Sequence, residues 1–405
     1  MRKGNLAFWS LVAVLVIGLG VGLSGCGDIG APDATTVIAT TTTTTTSTST
    51  STSTTTSTTT STLPHISGKV VFSGTTDGIK GGVSLQIGGP GIGTLVVTTD
   101  ADTGYYETPH LAASGTFNIS LLVTKEGWTI DGISVNYTGG TKSNQNLVAT
   151  PESWEILHVG GGSNLNAIMS NEANATMMAV GGGSSIILKA SSPYTTWTSV
   201  SSPTNEALIA MFGKTENIIV DRLAGMFIST NDGATWDFAD LSGMGFPNPL
   251  TNEAVSDVEL AGMGKVIYVT ETGKVIKSPD MTSFYDITPP GGAFINGLGR
   301  EIMGVDGTIE VVGNNGAAYK TENGGTSWEA FGPATAQDLS QGYIVSGYGY
   351  LVSRGGTIFA TTDEAATWQE ELSGLPYPLN GISLIGDSNT PSVLGGNGLI
   401  MRRIY

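Results

Sequence analysis

Cysteine, histidine and positive charge are all scarce in this chain. Its 405 residues include one cysteine, Cys26, so no internal disulfide can form. The three histidines, His65, His110 and His158, are not close to one another in sequence, so they provide no evident ligand set for zinc or haem. The 17 basic residues face 34 acidic ones, a net charge of −17 that repels phosphate backbones. We therefore expect no metal, no cofactor and no nucleic-acid partner.

Amphipathic helices are also missing after residue 30. Glycine is abundant, with 58 residues, and runs of Val, Ile, Thr and Tyr are broken by Gly, Asn and Asp, which is typical of short strands joined by turns. The glycine triplets at 160–162 and 181–183 lack the lysine and helix of a phosphate-binding loop and are interpreted as turns. The composition predicts an all-β chain with enough apolar residues to form more than one hydrophobic core.

The one long apolar run lies at the N-terminus. Within residues 1–25, Arg2 and Lys3 precede an apolar stretch that ends in small residues, the pattern of a cleavable signal peptide. The following LSGC sequence, 23–26, resembles the bacterial lipobox, whose cysteine is lipidated and becomes the mature N-terminus. The resemblance implies a lipid anchor at Cys26. Gly27, in place of aspartate, favours the outer membrane or the cell surface.

A tether is predicted for residues 26–65. Every residue from 40 to 62 is Thr or Ser, and such a segment buries too little apolar area to fold. We interpret it as a disordered stalk, and O-glycosylation of the stalk is the alternative left open.

Residues 66–150 have a different pattern, with short alternating or apolar segments separated by Gly or Asp. This pattern predicts a small antiparallel β-sandwich. The segments ISGKVVF, GGVSLQI, TTDADTGYYETPHL and GTFNISLLVTKEGW resemble the carboxypeptidase-regulatory-like family. The resemblance implies a spacer or accessory module.

A short phrase recurs in residues 151–405. Its best copies are STNDGATW, KTENGGTSW and TTDEAATW, and degenerate copies end at Trp197 and Phe284. The closing aromatic residues stand at 197, 236, 284, 328 and 368, so the period is 39 to 48 residues, which suits a four-stranded propeller blade.

The count of blades depends on the two ends of this region. Three strands are predicted after residue 380, and the chain stops at Tyr405 where a fourth should follow. Trp154 lies 43 residues before Trp197, one full period, so the segment around it is predicted to complete the last blade. The fold class is therefore a β-sandwich followed by a six-bladed β-propeller, with seven blades as the alternative.

The repeated phrase resembles the Asp-box, or BNR repeat, of sialidases, sortilin-type receptors and photosystem II assembly-factor-like propellers. The resemblance implies a structural role for the phrase, with a carboxylate or amide that accepts backbone N–H groups and a Trp that packs between sheets. Its predicted structural residues are Ser229, Asp232, Gly233, Trp236, Asn323, Trp328, Asp363 and Trp368.

Amides recur before or at the first predicted strand of each blade. They are Asn166, Asn205, Asn252, Asn296, Gln337 and Asn380, with Glu206 and Glu253 beside them. One hypothesis is that they line the mouth of the propeller and bind an uncharged or cationic polar ligand. The other is that each closes its own loop through a bond to the backbone.

These features together favour a monomeric, lipid-anchored, non-catalytic recognition or assembly protein that binds a protein or glycan on the propeller face. The alternative is a sialidase-like glycoside hydrolase, which needs Arg222, Arg300 and Arg354 to converge on one carboxylate. The ArgIlePro motif usual in sialidases is missing from the sequence.

Overall fold

The described part of the chain consists almost entirely of short β-strands. The computed structural model describes residues 63–171, 174–183, 185–212, 217–239, 253–260, 265–291, 294–298, 307–345, 347–385 and 390–405. All of them belong to one unit, Thr60–Tyr405, and their strands form eight four-stranded sheets. The predicted signal peptide, Cys26 and the Thr/Ser stalk lie outside the described residues. No helix in the described ranges is long and apolar enough to cross a bilayer.

Two sheets are built from residues 66–151, the N-terminal sheet pair. One has the order β4-β1-β8-β6 and contains β1 (Ser67–Phe72), β4 (Tyr105–Glu107), β6 (Trp128–Ile130) and β8 (Leu147–Pro151). The other has the order β3-β2-β5-β7 and contains β2 (Ser84–Gly89), β3 (Ile92–Thr98), β5 (Gly115–Leu121) and β7 (Ile133–Tyr137). Alternate side chains of both sheets, such as Leu85 and Phe72, are buried in one shared core.

The prediction of an antiparallel arrangement is wrong at one strand pair. Strands β1 and β8 are parallel neighbours, with Val70 opposite Leu147 and Phe72 opposite Ala149. Parallel neighbours need a long crossover, and the strands between β1 and β8 supply it by carrying the chain through both sheets.

Residues 154–405 form six further sheets, which we call the ring. The first sheet contains β10 (Leu165–Asn171), β11 (Thr176–Gly181), β12 (Ile186–Ser191) and β13 (Thr198–Val200). The second contains β14 (Leu208–Phe212), β15 (Asn217–Asp221), β16 (Met226–Ser229) and β17 (Asp237–Ala239). The third contains β18 (Val255–Leu260), β19 (Val266–Thr270), β20 (Val275–Ser278) and β21 (Tyr285–Asp286).

The remaining three sheets repeat this layout. The fourth contains β22 (Ile295–Leu298), β23 (Ile309–Gly313), β24 (Ala318–Thr321) and β25 (Glu329–Ala330). The fifth contains β26 (Leu339–Val345), β27 (Tyr348–Ser353), β28 (Ile358–Thr361) and β29 (Gln369–Leu372). The sixth contains β30 (Leu379–Ile385), β31 (Thr390–Gly395), β32 (Ile400–Arg403) and β9 (Trp154–His158).

The six sheets are arranged in a closed cycle. Each first strand lies against the first strand of the next sheet, and β30 lies against β10. Strands within a sheet pair in sequence order, except that the sixth sheet takes β9 as its outer strand. This all-β arrangement of four-stranded sheets is consistent with a β-propeller.

The predicted pairing of the two ends of this region is confirmed. Strand β9 is antiparallel to β32, with Trp154 opposite Arg403 and Ile156 opposite Met401. Trp154 is 1% exposed, and its indole Nε1–H donates to Glu371 Oε1 at 2.9 Å. Glu371 Oε1 also lies 2.8 Å from Arg403 Nε, so one carboxylate contacts both ends of the ring.

The N-terminal sheet pair and the ring share one apolar core. The Phe72 ring lies 6.0 Å from the Trp128 ring and 6.1 Å from the Tyr377 ring, between centroids. Trp128 Nε1–H donates to the Ser373 carbonyl at 2.8 Å, and the Lys80 amide donates to the Gly374 carbonyl at 2.8 Å. Apolar contacts and backbone hydrogen bonds both cross this junction. The N-terminal sheet pair and the ring are therefore packed around one hydrophobic core.

Candidate functional site

All six first strands of the ring have the same irregularity near their start. Strand pairing skips one residue in each, which is the pattern of a β-bulge. The skipped residues are Asn166, Ile209, Ser256, Asn296, Ser340 and Asn380. We call them the bulge residues. The extra residue of a bulge is unpaired in its own strand ladder, so its side chain can be aimed elsewhere.

Three bulge residues are amides that bond to the next sheet. Asn166 Nδ2 donates to the Leu208 carbonyl at 2.8 Å, and Asn296 Nδ2 donates to the Leu339 carbonyl at 2.8 Å. Asn380 Nδ2 donates to the Leu165 carbonyl at 3.0 Å, which joins the sixth sheet to the first. In each case the acceptor is the residue that precedes the next bulge. These amides thus link adjacent sheets around the ring.

Serine takes the same position in two other sheets. Ser340 Oγ donates to the Leu379 carbonyl at 2.6 Å, and Ser256 Oγ lies 3.4 Å from the Asn296 carbonyl. The second sheet differs, because its bulge residue is the apolar Ile209. Sequence inspection missed both serines, since it searched for amides alone.

The other predicted mouth residues do not share this position. Asn205 is exposed in the connection before β14, and Asn252 lies outside the described residues. Gln337 precedes its bulge and accepts a bond from Ser353 Oγ at 2.6 Å. Glu206 contacts Ser185 through its backbone carbonyl, and the Glu253 carboxylate lies 4.0 Å from Lys274 Nζ. Of the five amides that the structure describes, three therefore occupy equivalent bulge positions in different sheets, and the ligand-binding role of the set stays a prediction.

We expect Asn296→Ala to lower the free energy of unfolding by about 1–3 kcal/mol, because a buried carbonyl loses its donor. The matched control is Asn205→Ala, an exposed amide whose loss should change stability by no more than about 0.5 kcal/mol. Denaturant unfolding of both variants measures the difference. Equal losses would contradict the linking role of the bulge amide.

A buried carboxylate near the ring axis was not predicted. Asp257 directly follows the bulge of β18 and is 6% exposed. Its Oδ2 accepts the Leu298 amide at 2.9 Å and Gln341 Nε2–H at 3.3 Å, and its Oδ1 accepts the Val258 amide at 2.9 Å. Gln341 Oε1 in turn accepts the Ile382 amide at 2.8 Å. This polar chain joins the first strands of the third, fourth, fifth and sixth sheets.

Small residues leave room for these hydrogen-bonded polar side chains. The residue after the bulge is Ala, Ala, Gly and Gly in the first, second, fourth and sixth sheets. A Cβ at Gly297 would lie 2.1 Å from the Ser340 carbonyl oxygen and 3.1 Å from Asp257 Oδ2. A Cβ at Gly381 would lie 2.4 Å from the Asn166 carbonyl oxygen. Neither glycine can take a side chain without moving backbone at the centre of the ring.

The Asp257 carboxyl is difficult to ionise where it stands. Burial raises its pKa to about 6. The hydrogen bonds from Leu298, Gln341 and Val258 lower the pKa and so offset part of this rise. Within the described residues, its partners are these neutral donors. The axial chain therefore contains a group that titrates at mildly acidic pH.

The repeated phrases form turns between the third and fourth strands of their sheets, with hydrogen bonds inside each turn. The first hydroxyl accepts a backbone amide four residues on, from Gly233 to Ser229 at 2.8 Å and from Ala365 to Thr361 at 3.1 Å. Asn323 Oδ1 accepts the Ser327 amide at 2.9 Å. The closing residues Trp236, Trp328 and Trp368 pack against the clusters between adjacent sheets.

The role predicted for Asp232 belongs to its neighbour, Asn231. Asn231 Oδ1 accepts the Thr235 amide at 2.8 Å, as Asp363 Oδ1 accepts the Thr367 amide at 2.8 Å. Asp232 instead points to the first sheet, where its Oδ2 lies 2.6 Å from Lys189 Nζ. The prediction chose the wrong one of two adjacent residues. Both side chains can accept backbone hydrogen bonds in a turn, and the position relative to the strand determines which of them does.

Asp232 is therefore a link between the first and second sheets. Its Oδ1 accepts Thr176 Oγ1–H at 2.9 Å, and Lys189 also donates to the Asp232 carbonyl at 2.9 Å. Burial opposes ionisation of Asp232, but the bonds from Lys189 and Thr176 and the lysine charge hold its pKa below the usual value. Lys277 makes the corresponding bond to the Gly324 carbonyl, at 2.6 Å.

The three arginines that the glycoside hydrolase alternative requires do not share one kind of environment. Arg222 forms a two-pronged ion pair with Glu271, with Nε–Oε1 and Nη2–Oε2 distances both 3.1 Å. Arg354 is exposed in the turn after β27, and Arg300 lies outside the described residues. Their convergence therefore stays untested. Nowhere in the described ranges does a group of three His, Cys, Asp or Glu residues stand ready to hold a metal ion.

An open groove of about 830 Å³ runs along the fourth sheet towards the fifth. Its lining combines the turn at Asn315, the aromatic side chains of Tyr319 and Phe331, and the charged residues Lys320, Glu329 and Glu364. Lys320 Nζ lies 2.8 Å from Glu329 Oε1, and this bond is the main reason that the lysine pKa is raised. We call this feature the outer groove.

The chain is similar to several solved protein structures. No family model and no curated protein matches the chain. YCF48 from Cyanidioschyzon merolae is 14% identical, with a TM-score of 0.44 over 62% of this chain and 98% of that one. A gluconolactonase from Xanthomonas campestris is 13% identical, with a TM-score of 0.49 over 62% and 89%. A Bacteroides thetaiotaomicron protein of unknown function is 12% identical, with a TM-score of 0.45 over 79% and 90%.

Proposed function

We propose that this chain is a monomeric, non-catalytic recognition or assembly protein of the bacterial envelope that binds a protein partner. In this proposal Cys26 carries the lipid that anchors it to the outer membrane or cell surface. The ring is a six-bladed Asp-box propeller, and the N-terminal sheet pair is a carboxypeptidase-regulatory-like sandwich. The observation that carries the proposal is the outer groove.

The shape and lining of the outer groove suit an extended segment of protein. It is partly open to solvent, so a segment of another chain can reach its lining residues. Tyr319 and Phe331 offer apolar contact, and the charged side chains of Lys320, Glu329 and Glu364 lie in the same lining. Aromatic contacts flanked by polar groups are typical of protein interfaces.

The charges of the groove favour a basic segment. Lys320 is surrounded by carboxylates, since Glu329, Glu322 and Glu310 all raise its pKa, and Glu364 lines the same groove. Acidic groups therefore outnumber basic ones here, as they do in the whole chain. Complementary charge increases both the rate of encounter and the selection of partners.

Photo-crosslinking tests this assignment. A photoreactive phenylalanine analogue at Tyr319 should capture envelope protein segments rich in Lys or Arg, identified by mass spectrometry. The same analogue at Tyr285, which is 51% exposed on the third sheet, is the control position. Adding Glu329→Lys and Glu364→Lys should remove the Tyr319 products. The proposal fails if Tyr285 gives the same products, or if the charge reversal leaves them unchanged.

A further inference from the structure

The outward face of the β3-β2-β5-β7 sheet carries no charge. None of its four strands contains Asp, Glu, Lys or Arg. The opposite sheet of the pair differs, with Lys69 in β1 and Glu107 in β4. In a chain of net charge −17, a whole four-stranded face without a charged side chain is a distinct surface.

The centre of this face has two rows of outward residues, one residue from each of three adjacent strands. The first row is Val96, Gln86 and Ser120, and the second is Gly88, Asn118 and Ser134. Their neighbours Leu85, Ile87 and Phe117 point the other way into the core, as the two-residue period of a strand requires.

Hydrogen bonds along these rows fix the polar groups. Gln86 Nε2 donates to Ser120 Oγ at 3.1 Å, and Ser134 Oγ donates to Asn118 Oδ1 at 2.6 Å. Gln86 Oε1 and Asn118 Nδ2 remain as an acceptor and a donor, with no partner among the described residues. At Gly88 an added Cβ would meet nothing within 4 Å, so the face is open at this position.

We propose that this face binds a neutral polysaccharide. Amides and hydroxyls at the regular spacing of a sheet can exchange neutral hydrogen bonds with sugar hydroxyls, and binding there removes no charge from water. A protein partner would be expected to use Trp, Tyr or Arg anchors, which these two rows lack. A nucleic acid would need cations, which the four strands also lack.

The face continues beyond the two central rows. Ser84 pairs with Thr98 at one end, and Thr116 pairs with Asn136 at the other. Uncharged polar groups that extend over several successive strand pairs suit a polymer better than a single sugar. This site lies on the N-terminal sheet pair, apart from the outer groove of the ring, and so goes beyond the proposed function.

The test is depletion of the protein from solution by amorphous cellulose and by curdlan, both neutral and insoluble. The decisive variant is Asn118→Asp, which keeps the oxygen that accepts from Ser134 and adds one charge to the centre of the face. The matched control is Asn174→Asp, the same chemical change at an exposed amide of the ring. We expect wild type and control to bind at least one of the two polymers and Asn118→Asp to bind at least tenfold more weakly. Thermal melting should show all three folded.

The proposal is overturned if wild type binds neither polymer, if Asn118→Asp binds as wild type does, or if both variants weaken equally. Crosslinking from Tyr319 reports on the outer groove separately. Normal crosslinking by the Asn118→Asp variant, together with lost polymer binding, would place the polysaccharide site on the sheet pair alone.

Discussion

Replacing Trp154 with alanine is expected to lower the free energy of unfolding by about 3–5 kcal/mol, the usual loss for a buried tryptophan. The indole is 1% exposed, lies 5.9 Å from the Tyr350 ring between centroids, and donates to Glu371. The variant leaves a cavity beside the ion pair of Glu371 and Arg403. Because β9 is the outer strand of the sixth sheet, we expect the variant to weaken the closure of the ring.

Two further variants separate the contributions to this loss. Trp154→Phe keeps most of the packing and removes the Nε1–H bond, so it should cost about 1–2 kcal/mol. Trp236→Ala removes a half-buried tryptophan that packs between the first and second sheets, against no residue of β9 or β32 among the described residues. Hydrogen exchange should show β9 and β32 losing protection together in Trp154→Ala and retaining it in Trp236→Ala. Unchanged protection of β32 in Trp154→Ala would show that β9 does not hold the ring closed.

The sheets of the ring were predictable because their signals are local. Each of the three best copies of the repeated phrase has its hydroxyl, its amide or carboxylate and its tryptophan within eight residues, and the strands on either side alternate in the usual way. The position of Trp154, one period before Trp197, was enough to predict the pairing of β9 with β32. The parallel pairing of β1 with β8 had no such signal, because neither strand contains information about the other's direction.

The contacts between sheets were not predictable in the same way. Asp257 stands in VSDVEL, where it reads as an outward polar residue of an ordinary strand. Its burial results from a bulge in its own strand and from the approach of Gly297 and Gln341 in two other sheets. Asn205 and Asn166 looked equivalent because an apolar residue follows each within three positions, yet only Asn166 occupies a bulge. Such differences of a few residues depend on loop lengths, which vary between the sheets.

The second large effect is a change in the free energy of unfolding with pH, which we expect from Asp257. Its pKa is raised from 3.8 to about 6 in the folded chain. A carboxyl with a raised folded pKa contributes most stability below its unfolded pKa and loses that contribution as the pH rises through the folded value. The ring should therefore become less stable between about pH 4 and pH 6. At about 1.4 kcal/mol per unit of pKa, the change amounts to about 3 kcal/mol.

Asp257→Asn removes the titrating group and retains an oxygen to accept the Leu298 amide. We expect the variant to be more stable than wild type at pH 7.5 and to show a much smaller decrease in stability between pH 4.5 and 7. A residual decrease should remain, because burial also raises the pKa of Glu371 despite its contacts with Arg403 and Trp154. Asp286→Asn, at an exposed carboxylate of the same sheet, is the control and should follow the wild-type profile. Denaturant unfolding across this pH range measures all three proteins, and parallel profiles for wild type and Asp257→Asn would show that the axial carboxylate does not titrate in this range.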